Sequence, residues 1–277
     1  DFVHIRPPYG FLHQGNQDEA EFAANAASWL EDKIIEIGAS NVAAFVAEPI
    51  QGAGGVIVPP AGYFKHIQEI CRRHDILFVA DEVITGFGRT GQWFASQTME
   101  LEPDMMALAK GLTSGYVPMS AVMVGDRVAN KLIADGGEFY HGFTYSGHPV
   151  AAAVALANLE LIEREDMITR VREDTGPYLA EALAPLAEHR IVGEIRTFGV
   201  LAAIELVKSK DGPEMFEDTG ATGVICRDHA INRGLMMRAV RDAMILSPAL
   251  TYSRADIDET VRIASQALDA TADQLGL

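Results

Sequence analysis

The chain has 277 residues, with 22 Lys+Arg against 39 Asp+Glu for a formal charge of −17, and 48% of it is hydrophobic. That apolar share supplies a core for one large or two modest domains and excludes a wholly disordered chain. The acidic balance argues against nucleic acid, whose phosphates need clustered Lys and Arg, and no apolar stretch reaches the roughly 18 residues of a membrane-spanning helix.

The opening DFVHIRPPYG has no initiator Met and no signal segment. It reads as a loop from inside a longer protein whose N-terminal portion is missing. Glu19 to Gly38 then carries Phe22, Ala26, Leu30 and Ile34 at helical spacing and closes on Gly, which predicts a helix. Val42 to Ala47 is a short, nearly unbroken apolar run, the pattern of a strand buried on both faces. Pro60 to His74 predicts a second helix. Ile76 to Ala80, Met105 to Ala109 and Ser120 to Gly125 predict three further strands. Strands alternating with helices define an α/β fold, a mostly parallel sheet with helices on both faces. Pro149 to Arg164 is Ala-rich without a breaker and has Pro in its first turn, so it predicts a long helix.

Beyond that helix the pattern changes to a smaller α+β domain. A charged helix is expected over Met167 to Glu188, then apolar runs at Ile191 to Ile195 and Val200 to Leu206. A helix near Thr222 to Arg233, a strand at Leu235 to Ala239 and a last amphipathic helix from Ala255 complete it. The division falls near Leu156, giving a first domain of residues 1–156 and a second of 157–277.

Open α/β sheets carry their chemistry outside the carboxyl ends of the strands. Glu48 follows the first strand, Asp81 the second and Lys110 the third, and Thr144 lies in HGFTYSGH. A lysine after an apolar run is ordinarily a solvated strand end. Here Gly111 and Gly115 leave the backbone open to a ligand, and the apolar run would hold the amine in a partly dry site. Desolvation favours the neutral, nucleophilic amine that Schiff-base chemistry requires. Asp81 reads either as a helix cap or as a carboxylate facing the same crevice as Lys110. A carboxylate that keeps a pyridine nitrogen protonated, paired with a lysine, is what a pyridoxal cofactor needs.

The runs AEPIQGAGG, VADEVITGFGRTG and ALAKGLTSGYVPMSAV resemble those of class III pyridoxal-phosphate aminotransferases of fold type I. HGFTYSGHPVAAA narrows the resemblance to the omega-amine:pyruvate branch, and GPYLAEAL to its putrescine–pyruvate members. The resemblance implies pyridoxal 5'-phosphate as cofactor and a chain that begins partway through the large cofactor-binding domain. Lys110 is then the Schiff-base lysine and proton shuttle, Asp81 the partner of the pyridinium nitrogen, Val83 a contact on the ring face and Glu48 an ordering carboxylate. Thr144 binds the cofactor phosphate across a dimer interface, and Arg238, in LMMRA ahead of SPAL, grips the substrate carboxylate, with Arg241 as the neighbouring alternative. The missing front of the family supplies further strands, a Gly-Ser turn for the phosphate and an aromatic on the ring.

The activity this implies is ping-pong transfer of an amino group from a primary amine, a diamine or omega-amino compound, to an oxo acid such as pyruvate. Its small-molecule partners are that amine and that acid. Nucleic acid and membrane are not among its partners, and the full-length protein is a homodimer or higher homo-oligomer. The alternatives are another class III enzyme, of acetylornithine-aminotransferase or aminomutase type, and a catalytically silent fragment. Cys71 and Cys226 make neither a disulfide framework nor a ligand cluster and read as reduced thiols of a cytoplasmic protein. His141 and His148 have no accompanying Cys or carboxylate cluster, so no metal site is expected. GFGRTG lacks the Lys-Ser/Thr ending of a P-loop and reads as a Gly-rich turn.

Overall fold

After an irregular opening, Gly10–His13 makes a single helical turn (α1) and Asp18 caps the first long helix, α2 (Glu19–Ile37). The computed structural model describes residues 2–136, 138–210 and 214–277; Asp1 of the loop-like opening lies outside them. Asp18 Oδ1 accepts from the Glu21 N–H at 2.8 Å, and Glu21 accepts in return from the Asp18 N–H at 3.3 Å, satisfying donors that a helix start leaves open. The buried stripe Phe22, Ala23, Ala26, Ala27, Leu30 and Ile34 then packs in one cluster with Phe64, Ile67 and Ile70 of α3 (Tyr63–Arg73).

The chain divides into two compact units. One runs to Ile50 and adds Val58–Gly88 and Gln92–Asp166; the other takes Gln51–Ile57, Arg89–Gly91 and Met167–Leu277. The long helix on which a division near Leu156 is expected thus belongs wholly to the first unit.

The first unit holds a sheet of β1 (Ala44–Ala47), β2 (Leu77–Asp81), β3 (Met105–Leu108) and β4 (Ala121–Val124), in that order, with the short α4 (Ala95–Thr98) between β2 and β3 in sequence. β1, β2 and β3 run parallel, and β4 pairs antiparallel to β3. The connection between Leu108 and Ala121 carries only the single turn Lys110–Leu112 and no helix of the kind a parallel crossover usually uses. The sheet is mostly parallel, as the alternating pattern predicts. Asp126–Asp135 (α5) is an additional helix that the periodicity does not announce. α6 covers Pro149–Arg164, with Pro in its first turn.

In the second unit the expected helix over Met167 to Glu188 is broken. α7 (Met167–Arg170) passes through a wide π turn, Val171–Thr175, into α8 (Gly176–Leu183) and a 3₁₀ turn, Ala184–Glu188. Pro177 has no N–H for a regular ladder, which is one cause of such local widening. A Cβ on Gly176 would lie 2.5 Å from the Val171 carbonyl oxygen, so the close approach there needs glycine.

An antiparallel sheet follows, of β5 (Val192–Phe198), β6 (Leu201–Leu206), β7 (Arg238–Val240) and β8 (Ala243–Leu246), ordered β5-β6-β8-β7, with α9 (Ala221–Ile231) and α10 (Arg254–Leu275). The strand expected at Leu235 to Ala239 starts later, at Arg238. It pairs with β8, a strand that the sequence expectations do not include. Arg241 makes the reversal with φ 52°. Asp242, buried beside it, accepts from the N–H groups of Gly220 and Gly223 at 2.9 Å each and so secures the start of α9. Among the described residues no helix is long and apolar enough to cross a membrane.

Candidate functional site

The parallel register brings three of the expected site residues to one end of the first sheet. Ala47 of β1 pairs with Ala80 of β2, and Asp81 pairs with Ala107 of β3. Glu48 therefore follows β1 alongside Asp81, and Lys110 follows β3 three residues beyond Asp81's partner. Neighbouring strands lie about 4.8 Å apart, so a carboxylate and an amine stand at the carboxyl ends of adjacent strands. Asp81 Oδ1 accepts from the Val83 N–H at 3.0 Å, which turns the chain out of the strand. The second carboxylate oxygen of Asp81 takes part in none of the hydrogen bonds among the described residues, and remains for another donor. Val83 itself is half-buried.

The acid next to Asp81 does different work. Glu82 is fully buried. Its Oε1 accepts from the N–H and the Oγ–H of Ser96 at 2.6 Å each, while Oε2 accepts from the Ala95 N–H at 3.1 Å and from Thr85 Oγ1. This carboxylate thereby caps α4 and ties residues 82–96 into a closed loop. Within that loop the Phe87 N–H donates to the Trp93 carbonyl at 2.6 Å. Phe87 also lies under the turn at Lys110: a Cβ on Gly111 would sit 2.9 Å from the Phe87 Cβ and Cδ2. Gly111 is needed for that contact.

Lys110 opens the turn with φ 41°, in the left-handed region that residues with a side chain avoid. Its side chain is exposed, where the sequence predicts a partly dry amine; among its neighbours in this chain Gly111, Ser114 and Gly115 carry too little side chain to cover it. On the far side of the turn, Asn158 of α6 donates from Nδ2 to the Gly111 and Leu112 carbonyls at 2.8 and 3.1 Å, and its Oδ1 accepts from Ser114 Oγ at 2.7 Å.

Thr144 is exposed and opens the turn Thr144–Gly147; no hydrogen bond among the described residues joins it to the strand-end groups. Arg238, in the second unit, is exposed at the start of β7 opposite Ile245. In the same unit Arg89, from the Gly-rich turn, donates to the Pro248 carbonyl of the SPAL segment. Burial pulls its guanidinium down to about 10. No group of three or more His, Cys, Asp or Glu able to hold a metal occurs among the described residues.

Glu82, Phe87 and Asn158 escape a reading that looks only at strand ends. For Asn158 the signal exists: it is the one polar member of the buried stripe Ala151, Ala155, Asn158, Ile162 on α6. For Glu82 it is the strand alternation, which sends it to the opposite side from Asp81.

The class-III aminotransferase model fits residues 1–268, and the chain belongs to that family. It is 54% identical over 270 residues to the putrescine–pyruvate aminotransferase of Pseudomonas aeruginosa, covering 98% of this chain and 59% of that protein. It is 41% identical over 268 residues to the vanillin aminotransferase of Capsicum annuum, covering 96% and 58%. The omega transaminase from Pseudomonas jessenii, solved in complex with PMP, superposes with a TM-score of 0.94 at 41% identity, over 99% of this chain and 61% of that one. The chain thus spans about three-fifths of the length of these relatives.

Proposed function

We propose that this chain is the Asp81- and Lys110-bearing portion of a pyridoxal-phosphate-dependent transaminase that moves an amino group from a primary amine, a diamine such as putrescine, to an oxo acid such as pyruvate. The observation that carries the proposal is the pairing of Asp81 with Ala107, which sets a free carboxylate oxygen and the Lys110 amine at the ends of neighbouring parallel strands. That donor set fits an aldehyde-bearing pyridine: an exposed primary amine, a carboxylate with an open acceptor, and the half-buried Val83 side chain two residues on.

When bound, pyridoxal phosphate supplies an aldehyde that takes up the amine nitrogen and a ring that withdraws electrons. Lys110 Nζ is the base that removes a proton from the substrate carbon and returns it on the way to product. Asp81 holds a proton on the ring nitrogen by accepting it as a hydrogen bond. Val83 gives the ring face an apolar contact, and Glu48 orders the strand ends beside Asp81. Thr144 Oγ1 donates to the phosphate in a homodimer of the full-length protein. The Arg238 fork takes the carboxylate of the oxo acid, releasing it when the substrate is an amine without one.

The test is to incubate the chain with pyridoxal 5'-phosphate, reduce with borohydride and map the modified lysine, alongside an assay with putrescine and pyruvate in the full-length protein. Modification at Lys110, and loss of activity in Lys110→Ala, support the reading. Modification spread evenly over all lysines overturns it. The exposed Lys110 amine favours a second reading, a silent portion with no cofactor affinity of its own; a full-length protein that is active while this chain forms no Lys110 adduct selects it.

A further inference from the structure

Resting on the reading of Lys110 as the cofactor lysine, we infer that Asn158 is a positioning residue that fixes the backbone from which Lys110 projects. Among the described residues no hydrogen bond or ion pair restrains Lys110 Nζ. The turn therefore sets where the Lys110 stem leaves the backbone and in which direction, and the flexible stem carries the amine from there. That turn is unfavourable on its own: Lys110 has φ 41° and Ser114 φ 48°, both left-handed without glycine. Its internal bonds are long, with the Thr113 N–H 3.2 Å from the Lys110 carbonyl and the Ser114 N–H 3.4 Å from the Gly111 carbonyl.

Asn158 supplies what the turn lacks. The two Nδ2 bonds engage the consecutive carbonyls of Gly111 and Leu112, and Oδ1 takes the Ser114 hydroxyl. The amide cannot be reversed, because its oxygen would then face two carbonyl oxygens. Each of its polar atoms is used within the Lys110–Ser114 turn. Asparagine is a poor helix former, and its neighbours on the buried face of α6 are alanine and isoleucine. An apolar residue would serve packing better; the amide serves the turn. Phe87 packs against Gly111 as well, where an added Cβ would lie 2.9 Å from its Cβ.

The test uses this chain as wild type, Asn158→Leu, Asn158→Asp and Ser114→Ala. Each is incubated with pyridoxal 5'-phosphate and reduced with borohydride. The adduct at Lys110 is measured as a share of all adducts, the others being at Lys33, Lys65, Lys131, Lys208 and Lys210. Amide hydrogen exchange over residues 112–116 is measured without cofactor. The Lys110 share should fall about tenfold in both Asn158 variants, which take the Nδ2 donor from the Gly111 and Leu112 carbonyls, and exchange in the turn should rise by a similar factor. Ser114→Ala, which keeps both Nδ2 bonds, should fall less than about threefold. Exchange in α2 reports an intact unit; if Asn158→Leu loses it, Asn158→Asp, which keeps shape and the Ser114 bond, carries the test. Asn158 variants with the wild-type share and unchanged exchange overturn the inference, as does a loss shared equally by all six lysines. A wild-type chain without a Lys110 adduct selects the silent portion and leaves the exchange of residues 112–116 to decide the inference; full-length activity that survives Lys110→Ala overturns the reading of Lys110, and the inference with it.

Discussion

Ser96 gives both its N–H and its hydroxyl to one oxygen of Glu82, each at 2.6 Å, inside a fully buried environment. A carboxylate is affordable there only because every direction around it holds a donor. Glu82→Ala would leave the Ala95 and Ser96 N–H groups without an acceptor, and should cost about 3 kcal/mol of stability; Glu82→Gln, which keeps one acceptor oxygen, about half that. Urea unfolding of the two variants, read from midpoint and slope, checks the order. Equal losses would mean that the charge matters and the space filled does not.

A second buried charge holds the other unit. Arg196 Nη2 meets Glu205 Oε2 at 2.7 Å with both side chains 7% exposed, and the same guanidinium donates to the Gly55 carbonyl at 2.7 Å and to that of Val56 at 3.2 Å. Arg196→Met should cost about 3–5 kcal/mol, because Glu205 keeps its charge in a dry place. Adding Glu205→Leu should recover a substantial part of that loss, since the pair as a whole gains little over apolar packing. A double variant no more stable than Arg196→Met would show that the carbonyls of Gly55 and Val56, rather than Glu205, carry the penalty.

Both thiols are buried. Burial pushes Cys71 up to about 12 and Cys226 up to about 11. At pH 8 about one Cys226 in a thousand is then thiolate. Labelling of the native chain with an aromatic disulfide reagent at pH 8 should release almost no thiol over an hour, and two equivalents should appear at once in denaturant. Rapid labelling without denaturant would place either cysteine on an opening segment.

The start of α10 should respond to acid. Asp256 is held below the usual carboxylate range by hydrogen bonds from the Ser253 N–H and hydroxyl. A lowered folded value means the stabilisation is present above the ordinary aspartate range and is lost as pH falls through the lowered one. Amide exchange at residues 254–257, corrected for its intrinsic pH dependence, should therefore accelerate on acidification. Ser253→Ala should start faster and show less of that acid dependence. A wild-type profile flat across this range would rule out the cap as the origin of the helix start.

Much of the first unit is legible in the sequence because its strands are continuous apolar runs ending in polar residues. Glu48, Asp81 and Lys110 stand out for that reason, and register then brings them to the same edge. What periodicity cannot carry is direction and interruption. β4 is antiparallel after a connection that holds no helix, and α7 to α8 is broken by a Gly-Pro step inside an otherwise helical pattern. β8 (Ala243–Leu246) is a strand that the apolar runs named above do not include. The dryness of a strand end depends on what covers it, and the residues of this chain beside Lys110 are glycine and serine. Arg238 and Thr144 owe their proposed roles to the family's motifs, since neither has a local pattern that points to a ligand.

The backbone pairing of β1, β2 and β3 sets the heights of the two acids and the amine without help from their side chains. Exchanging any of the three groups should leave the ladder intact, so chemistry and scaffold vary separately in this sheet. Inserting a single residue within Met105–Leu108 would do the reverse: it would lift the amine by about 3.3 Å and turn it to the other side. The spacing of the chain between the two acids and the amine is thus a ruler, and its graduations are whole residues.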